Sequence, residues 1–201
     1  MQKNLKPILN QNDILKITEV LKNDGVVAFP TDTVWGLGAD PTNETAVKKI
    51  YELKKRDGQK PLILMASSLE YLEPFVEKLT VEEREIINKY LPGALTLITK
   101  KSKLTPDFVT SGFDTVGIRI PNHPVFAEVA NCSPCKVLAT TSANLSSQPS
   151  ALKKEDVISY FSTNVNFVTN DFGYYAENKE STIIKYEKGW HVLRQGVVKI
   201  G

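Results

Sequence analysis

Hydroxyl, amide, carboxylate and guanidinium groups gather in this chain in short clusters beside apolar runs, a pattern suited to holding anions. Pro30-Thr31-Asp32-Thr33-Val34-Trp35-Gly36-Leu37-Gly38 begins where Val26-Val27-Ala28-Phe29 stops. The apolar run reads as a buried strand, and Pro30 cannot donate to a ladder. The hydroxyls and carboxylate after it therefore project from a strand end, where α/β proteins place ligands. Thr31 and Thr33 share one side of an extended segment, and Gly36 and Gly38 allow close approach of backbone to a bound molecule. A polar strand-to-helix loop is the alternative reading. Thr140-Thr141-Ser142-Ala143-Asn144 also ends an apolar run, with groups that can hold a phosphate, a nucleotide sugar or an amino acid and that also favour turns.

Cations complete the inventory. Lys54, Lys55, Arg56 and Lys60 fall at an expected helix end and in a Gly-containing loop. The helix dipole favours cations there, so a solvated cap explains them; their density also suits a polyphosphate, which Arg grips bidentately and Lys neutralises as a point charge. Arg119 lies inside Val116-Gly117-Ile118-Arg119-Ile120, where an unpaired guanidinium is costly, so it needs an anionic partner or a wet cleft. Arg194 ends the run His191-Val192-Leu193, and Ser181-Thr182 opens another strand. The chain has no Gly-x-x-x-x-Gly-Lys-Ser/Thr loop, Gly-x-Gly-x-x-Gly fingerprint or Gly-x-Ser-x-Gly elbow. Without an evident nucleophile and base, catalysis has to rest on positioning and charge stabilisation.

The elements that must position these groups are legible from periodicity. Ile14, Ile17 and Leu21 mark a helix over 13–22 with Asn12 as its cap, and Asn43 caps a second through about Lys55. Thr80 and Glu83 form a capping box for a helix to about Tyr90, ended by Pro92-Gly93. Shorter helices are expected over 124–130 and 153–161, and strands over 26–30, 62–65, 94–99, 116–120, 136–141, 165–168, 182–185, 191–193 and 197–200. Helices and strands alternate early and strands crowd late, which predicts an α/β fold. Its expected form is a single domain over 1–201, with one twisted mixed β-sheet flanked by helices.

With 201 residues, 41% hydrophobic and 24% charged, the composition is that of a globular protein, and a net charge of +2 neither favours nor excludes nucleic acid. No apolar run approaches the roughly 18 residues that span a bilayer, and residues 1–12 lack a signal-peptide centre, so a cytoplasmic protein without membrane contact is expected. Cys132 and Cys135 form a Cys-x-x-Cys placed before a strand rather than after one, and His123 and His191 lack zinc-finger spacing. Incidental thiols are therefore favoured over a redox or metal pair.

Taken in order, these segments resemble the YrdC-type threonylcarbamoyl-adenylate synthase family: Pro30 to Gly38, Lys55-Arg56 with Lys60-Pro61-Leu62, Pro92-Gly93, Val116 to Pro121, Thr141 to Asn144, Ser181-Thr182 and Leu193-Arg194-Gln195-Gly196. The resemblance runs from about residue 10 to residue 200 and implies the short, single-domain form, with a concave basic cleft in a twisted sheet. It implies a nucleotidyltransferase that joins L-threonine, bicarbonate and ATP into threonylcarbamoyl-adenylate and releases pyrophosphate. A downstream tRNA-modifying transferase then passes the group to the adenosine beside the anticodon.

Carried onto this chain, Thr31, Thr33, Arg119 and Ser142 would meet threonine, with Asp32 close by. Lys55, Arg56, Lys60, Thr141, Ser142, Asn144, Ser181 and Arg194 would meet the nucleotide, and Mg²⁺ would accompany ATP; metal ligands stay unassigned. Met65, Trp35 and Ser147 stand where the family more often has His, Tyr and Gly. Two other readings remain: a module binding tRNA or double-stranded RNA through residues 54–60 and Lys100, Lys101 and Lys103, and a carbamoyl-adenylate-forming domain that uses carbamoyl phosphate.

Overall fold

A computed structural model of the chain describes residues 7–55, 60–174 and 176–200. Helix α1 (Gln11–Lys22) starts before the expected position because Asn10, not Asn12, caps it, accepting the Asp13 amide. Strand β1 (Val27–Phe29) is wholly buried. The segment after it does not lead straight to a helix: it turns at residues 31–34 and returns as β2 (Gly36–Ala39), antiparallel to β1. Phe29 faces Gly36 across this pair.

Gly36, which lines the cleft, and Gly38 also serve a packing purpose that the sequence did not show. A Cβ on Gly36 would lie 2.8 Å, and one on Gly38 2.7 Å, from the Phe29 ring, so the glycines make room for that ring. Phe29 in turn packs edge-on against Phe126 with centroids 5.2 Å apart.

Helix α2 (Glu44–Lys54) is capped by Asn43 as expected and ends at Lys55 in the left-handed conformation, φ 49°. There follow β3 (Ile63–Ala66), the single turn α3 (Leu69–Leu72), α4 (Val81–Tyr90) with the Thr80–Glu83 capping box, and β4 (Leu95–Lys100). Next come the single turn α5 (Asp107–Thr110), β5 (Thr115–Arg119), α6 (Pro124–Asn131) and β6 (Val137–Ser142). The chain continues through α7 (Lys154–Phe161), β7 (Phe167–Val168), β8 (Thr182–Tyr186) and β9 (Trp190–Arg194). No strand forms at 197–200: β8 is already flanked by β4 and β9, and Glu180 O and the Thr182 and Gln195 side chains take the hydrogen bonds of Val197 and Val198.

The strands make one mixed sheet in the order β7-β1-β2-β6-β3-β5-β4-β8-β9. Its register sorts side chains by face. Leu64, Ile118 and Ala139 align on one face; Ile63 with Gly117 and Thr140, and Met65 with Arg119, align on the other. The first face carries the larger core, covered by Ala46, Val47 and Ile50 of α2, Ile86 and Ile87 of α4, and Val157 and Phe161 of α7. The second face is covered only in part. There Ile17 and Leu21 of α1 and Val125, Phe126 and Val129 of α6 pack on Val27, Phe29, Met65 and Leu138. The rest of that face holds polar side chains and stays open as a cleft.

Candidate active site

The cleft has a volume of about 200 Å³ and is floored by β3, β4, β5, β6 and β8, with the 31–36 turn at one wall and Arg194 at the other. Thr31, Thr33, Arg119, Thr141, Ser142, Ser181 and Arg194, named from sequence, all line it. So do Trp35, Ile63 and Met65, which give the floor an apolar part. Thr141 pairs with Leu37, a register position belonging to the opposite face from Thr140 and Ser142, although it still borders the cleft.

Arg119 is 2% exposed and finds the anionic partner its strand position requires. Its Nη2 donates to Asp32 Oδ1 at 2.5 Å, Nη1 to Thr33 Oγ1 at 2.8 Å and Nε to the Gly93 carbonyl at 3.0 Å. The Pro92-Gly93 break thus serves the site as well as ending α4. Burial pushes the guanidinium below its ordinary pKa and the Asp32 charge opposes this; an arginine stays protonated nonetheless.

Thr31 Oγ1 donates to the Val34 carbonyl at 2.6 Å, so its 3.0 Å contact with Thr33 is one in which Thr33 donates. A directed chain results, from Arg119 through Thr33 and Thr31 to the backbone. Thr31 is the turn-former and Thr33 the hydroxyl that meets the cation.

At the end of β6, Ser142 Oγ donates to Asn144 Oδ1 at 2.6 Å, and Asn144 Nδ2 holds the Leu145 and Gln148 carbonyls at 3.0 and 2.7 Å. Beneath them lies Lys54, 2% exposed. Its ammonium donates to Ser142 O, to Asn144 O at 2.8 Å and to Asn144 Oδ1 at 2.9 Å. A buried cation saturated by carbonyls locks α2 to the Ser142–Asn144 turn and puts a positive charge under the cleft wall.

At the far wall Ser181 Oγ meets Thr96 Oγ1 at 2.8 Å. Arg194 donates from Nη2 to Ser181 O and Oγ at 3.0 and 3.2 Å, from Nε to Ser181 O at 3.2 Å, and from Nη1 to Glu180 Oε2. Glu180 also accepts from Ser150 Oγ at 3.2 Å.

The remaining cations named from sequence lie elsewhere. Lys55 is exposed and borders a different depression, between α2 and α7, with Tyr160 and Asn166. The Lys60 side chain is exposed while its carbonyl accepts the Tyr51 hydroxyl at 3.1 Å; Arg56 lies outside the described residues. Lys101 pairs with Asp107, away from the cleft.

Sequence reasoning counted Lys54 only in a cation cluster suited to a polyphosphate, not as a buried anchor, and passed over Thr96 and Glu180. Lys54 had a signal: it sits in the helical register of Val47 and Ile50, on the buried side of α2. Glu180 and Thr96 had none, since each is brought in by the pairing of β4 with β8.

Among the described residues no group of three or more acidic, histidine or cysteine side chains is placed to hold a metal. Asp32 and Glu180, the carboxylates at the cleft, are each spent on an arginine, so the described side chains do not fit a magnesium site of the protein's own. Cys132 and Cys135 are both free, and burial pushes both thiols up. No helix among the described residues is long and apolar enough to cross a membrane.

A family model described as "Telomere recombination" (Sua5_yciO_yrdC) matches residues 19–196. Threonylcarbamoyl-AMP synthase of Enterobacter sp. (strain 638) is 36% identical over 162 residues, covering 80% of this chain and 85% of that protein. The protein of the same name from Klebsiella pneumoniae is 40% identical over 144 residues, covering 71% and 75%. The crystal structure of P. abyssi Sua5 complexed with L-threonine superposes with a TM-score of 0.88 at 33% identity. That match covers 94% of this chain but only 55% of the P. abyssi chain, so this chain spans little more than half the length of that relative. On this evidence the chain belongs to the Sua5_yciO_yrdC family.

Proposed function

We propose that this chain makes L-threonylcarbamoyl-adenylate from L-threonine, bicarbonate and ATP and releases pyrophosphate. The observation that carries the reading is the placement of Arg119 and Arg194 in one open half-face of the sheet, with Ser142, whose carbonyl the buried Lys54 holds, lining the same cleft. The threonine bound in P. abyssi Sua5 and the name shared by the bacterial relatives support it.

The threonine amine adds to bicarbonate to give a carbamate and water. A carbamate oxygen then attacks the α-phosphorus of ATP and pyrophosphate leaves. Both reactants are anions, and two unit charges 4 Å apart repel by about 4 kcal/mol at an effective dielectric of 20. The protein's task is to offset this repulsion and align the pair.

Arg119 receives the amino-acid carboxylate, and Thr33, its hydroxyl proton committed to Thr31, orients the guanidinium. Of a guanidinium's five N–H donors, the bonds to Gly93, Thr33 and Asp32 use three, leaving two without a partner among the described residues. Ser181 and Arg194 receive phosphates at the other wall, and Ser142, steadied by Asn144, lines the same cleft. Of the cations at 54–60, Lys60 adjoins the lining residue Pro61, whereas Lys55 borders the other depression. Magnesium enters as the counter-ion of ATP, and no step is assigned to it. The product is an activated acyl group for a transferase acting on the tRNA adenosine beside the anticodon.

The test is pyrophosphate release by the purified chain with each substrate omitted in turn. Release should require L-threonine and bicarbonate together; release of phosphate and ADP instead, or release independent of threonine, overturns the reading.

A further inference from the structure

The two arginines of the cleft are built differently. Arg119 is buried on a central strand and fixed by Asp32, Thr33 and Gly93. Arg194 stands on β9, the sheet's edge strand, in a run from His191 to Arg194 whose members are all exposed. The Arg194 side chain is 41% exposed, and a long cationic side chain on such a strand gains entropy by leaving the cleft. Both arginines line the same cleft, so two like charges share one space. Something must hold Arg194 inward.

Ser181 supplies neutral acceptors, and Glu180 supplies the only carboxylate among the described residues in contact with Arg194. Glu180 is itself tied to Ser150, on the loop that follows the Ser142–Asn144 turn. The backbone around it is equally constrained. A Cβ on Gly196 would lie 2.2 Å from Glu180 O, and Val197 N donates to that same carbonyl at 3.1 Å.

We propose that Glu180 is the positioning residue for Arg194 in nucleotide binding, its carboxylate holding the guanidinium turned into the cleft. The inference rests on the nucleotide reading of the cleft. It assigns a purpose to a negative charge in a site that must accept anions. A carboxylate there weakens phosphate binding if it acts alone, and strengthens it only by keeping a cation in place.

These two behaviours have opposite signs, so Glu180→Gln, which keeps the shape and removes the charge, separates them. The KM for ATP should rise about tenfold while that for threonine moves less than about twofold, and Glu180→Asp should recover part of the loss. In an Arg194→Ala background, Glu180→Gln should change ATP binding by less than about twofold, since the residue acts through the missing side chain. Thermal unfolding of each variant shows that the fold is intact. Tighter ATP binding by Glu180→Gln, no change, or an equal loss with and without Arg194 overturns the proposal. Calorimetric titration with ATP alone carries the same comparison, so a wild-type chain that binds ATP but releases no pyrophosphate counts against the reaction and not against Glu180.

Discussion

Lys54 and Lys55 are adjacent, alike in type and opposite in circumstance. Lys54 is buried under three carbonyl oxygens, whereas Lys55 caps α2 in solvent. Removing the Lys54 ammonium takes one donor from each of those buried acceptors, so Lys54→Met should lower unfolding stability by about 3 kcal/mol in urea titrations, and Lys55→Met should change it by less than about 0.5 kcal/mol.

His123 offers a second test at this scale. It caps α6 through Nδ1, which accepts the Phe126 amide at 3.4 Å, and its Nε2 is buried without a partner among the described residues. Burial holds the imidazole below its ordinary value of 6.5, with the Tyr174 backbone, Asp32 and Asp171 opposing. Between that lowered value and about 6.5 the unfolded chain binds a proton that the folded chain refuses, so this residue's contribution makes stability fall as pH drops through the window and leaves it flat above. In His123→Asn, which retains a cap, the melting temperature should lose part of its decline below pH 6.5; an unchanged pH profile contradicts the assignment.

At the scale of elements, periodicity and caps carried most of the reading. Asn43 and the Thr80–Glu83 box start their helices where the sequence places them, because a cap is a local interaction. Misses came where the cause is not local. The return strand β2 hides in Gly36-Leu37-Gly38, whose glycines make room for the Phe29 ring from across the pair. The final apolar run failed to become a strand because the sheet had no edge left for it beside β8. α3 and α5 are single turns, too short for any period to register. The glycine argument is testable: Gly38→Ala forces a methyl onto a ring held by Phe126, and should cost about 1–3 kcal/mol in the same urea titration. A neutral substitution would show that the ring can move away.

For the molecule as a whole, the working surface comes from incomplete coverage. Helices α2, α4 and α7 close one face of the sheet, while α1 and α6 cover only part of the other. The uncovered part is where hydroxyls and guanidiniums replace aliphatic side chains. That much of the site was legible, since Thr33, Arg119, Ser142, Ser181 and Arg194 were named from residue type beside apolar runs and all meet in the cleft. Which lysine faces inward, and which carboxylates steady the arginines, depends on side-chain direction and strand pairing that no linear pattern encodes.

The central claim is that one cleft takes amino acid and nucleotide together. A crystal structure with L-threonine and a non-hydrolysable ATP analogue tests it most directly. The account predicts both ligands on the open half-face, the threonine carboxylate on Arg119 and a phosphate on Arg194. Ligands in separate pockets, or a nucleotide with no contact to the cleft, would contradict it.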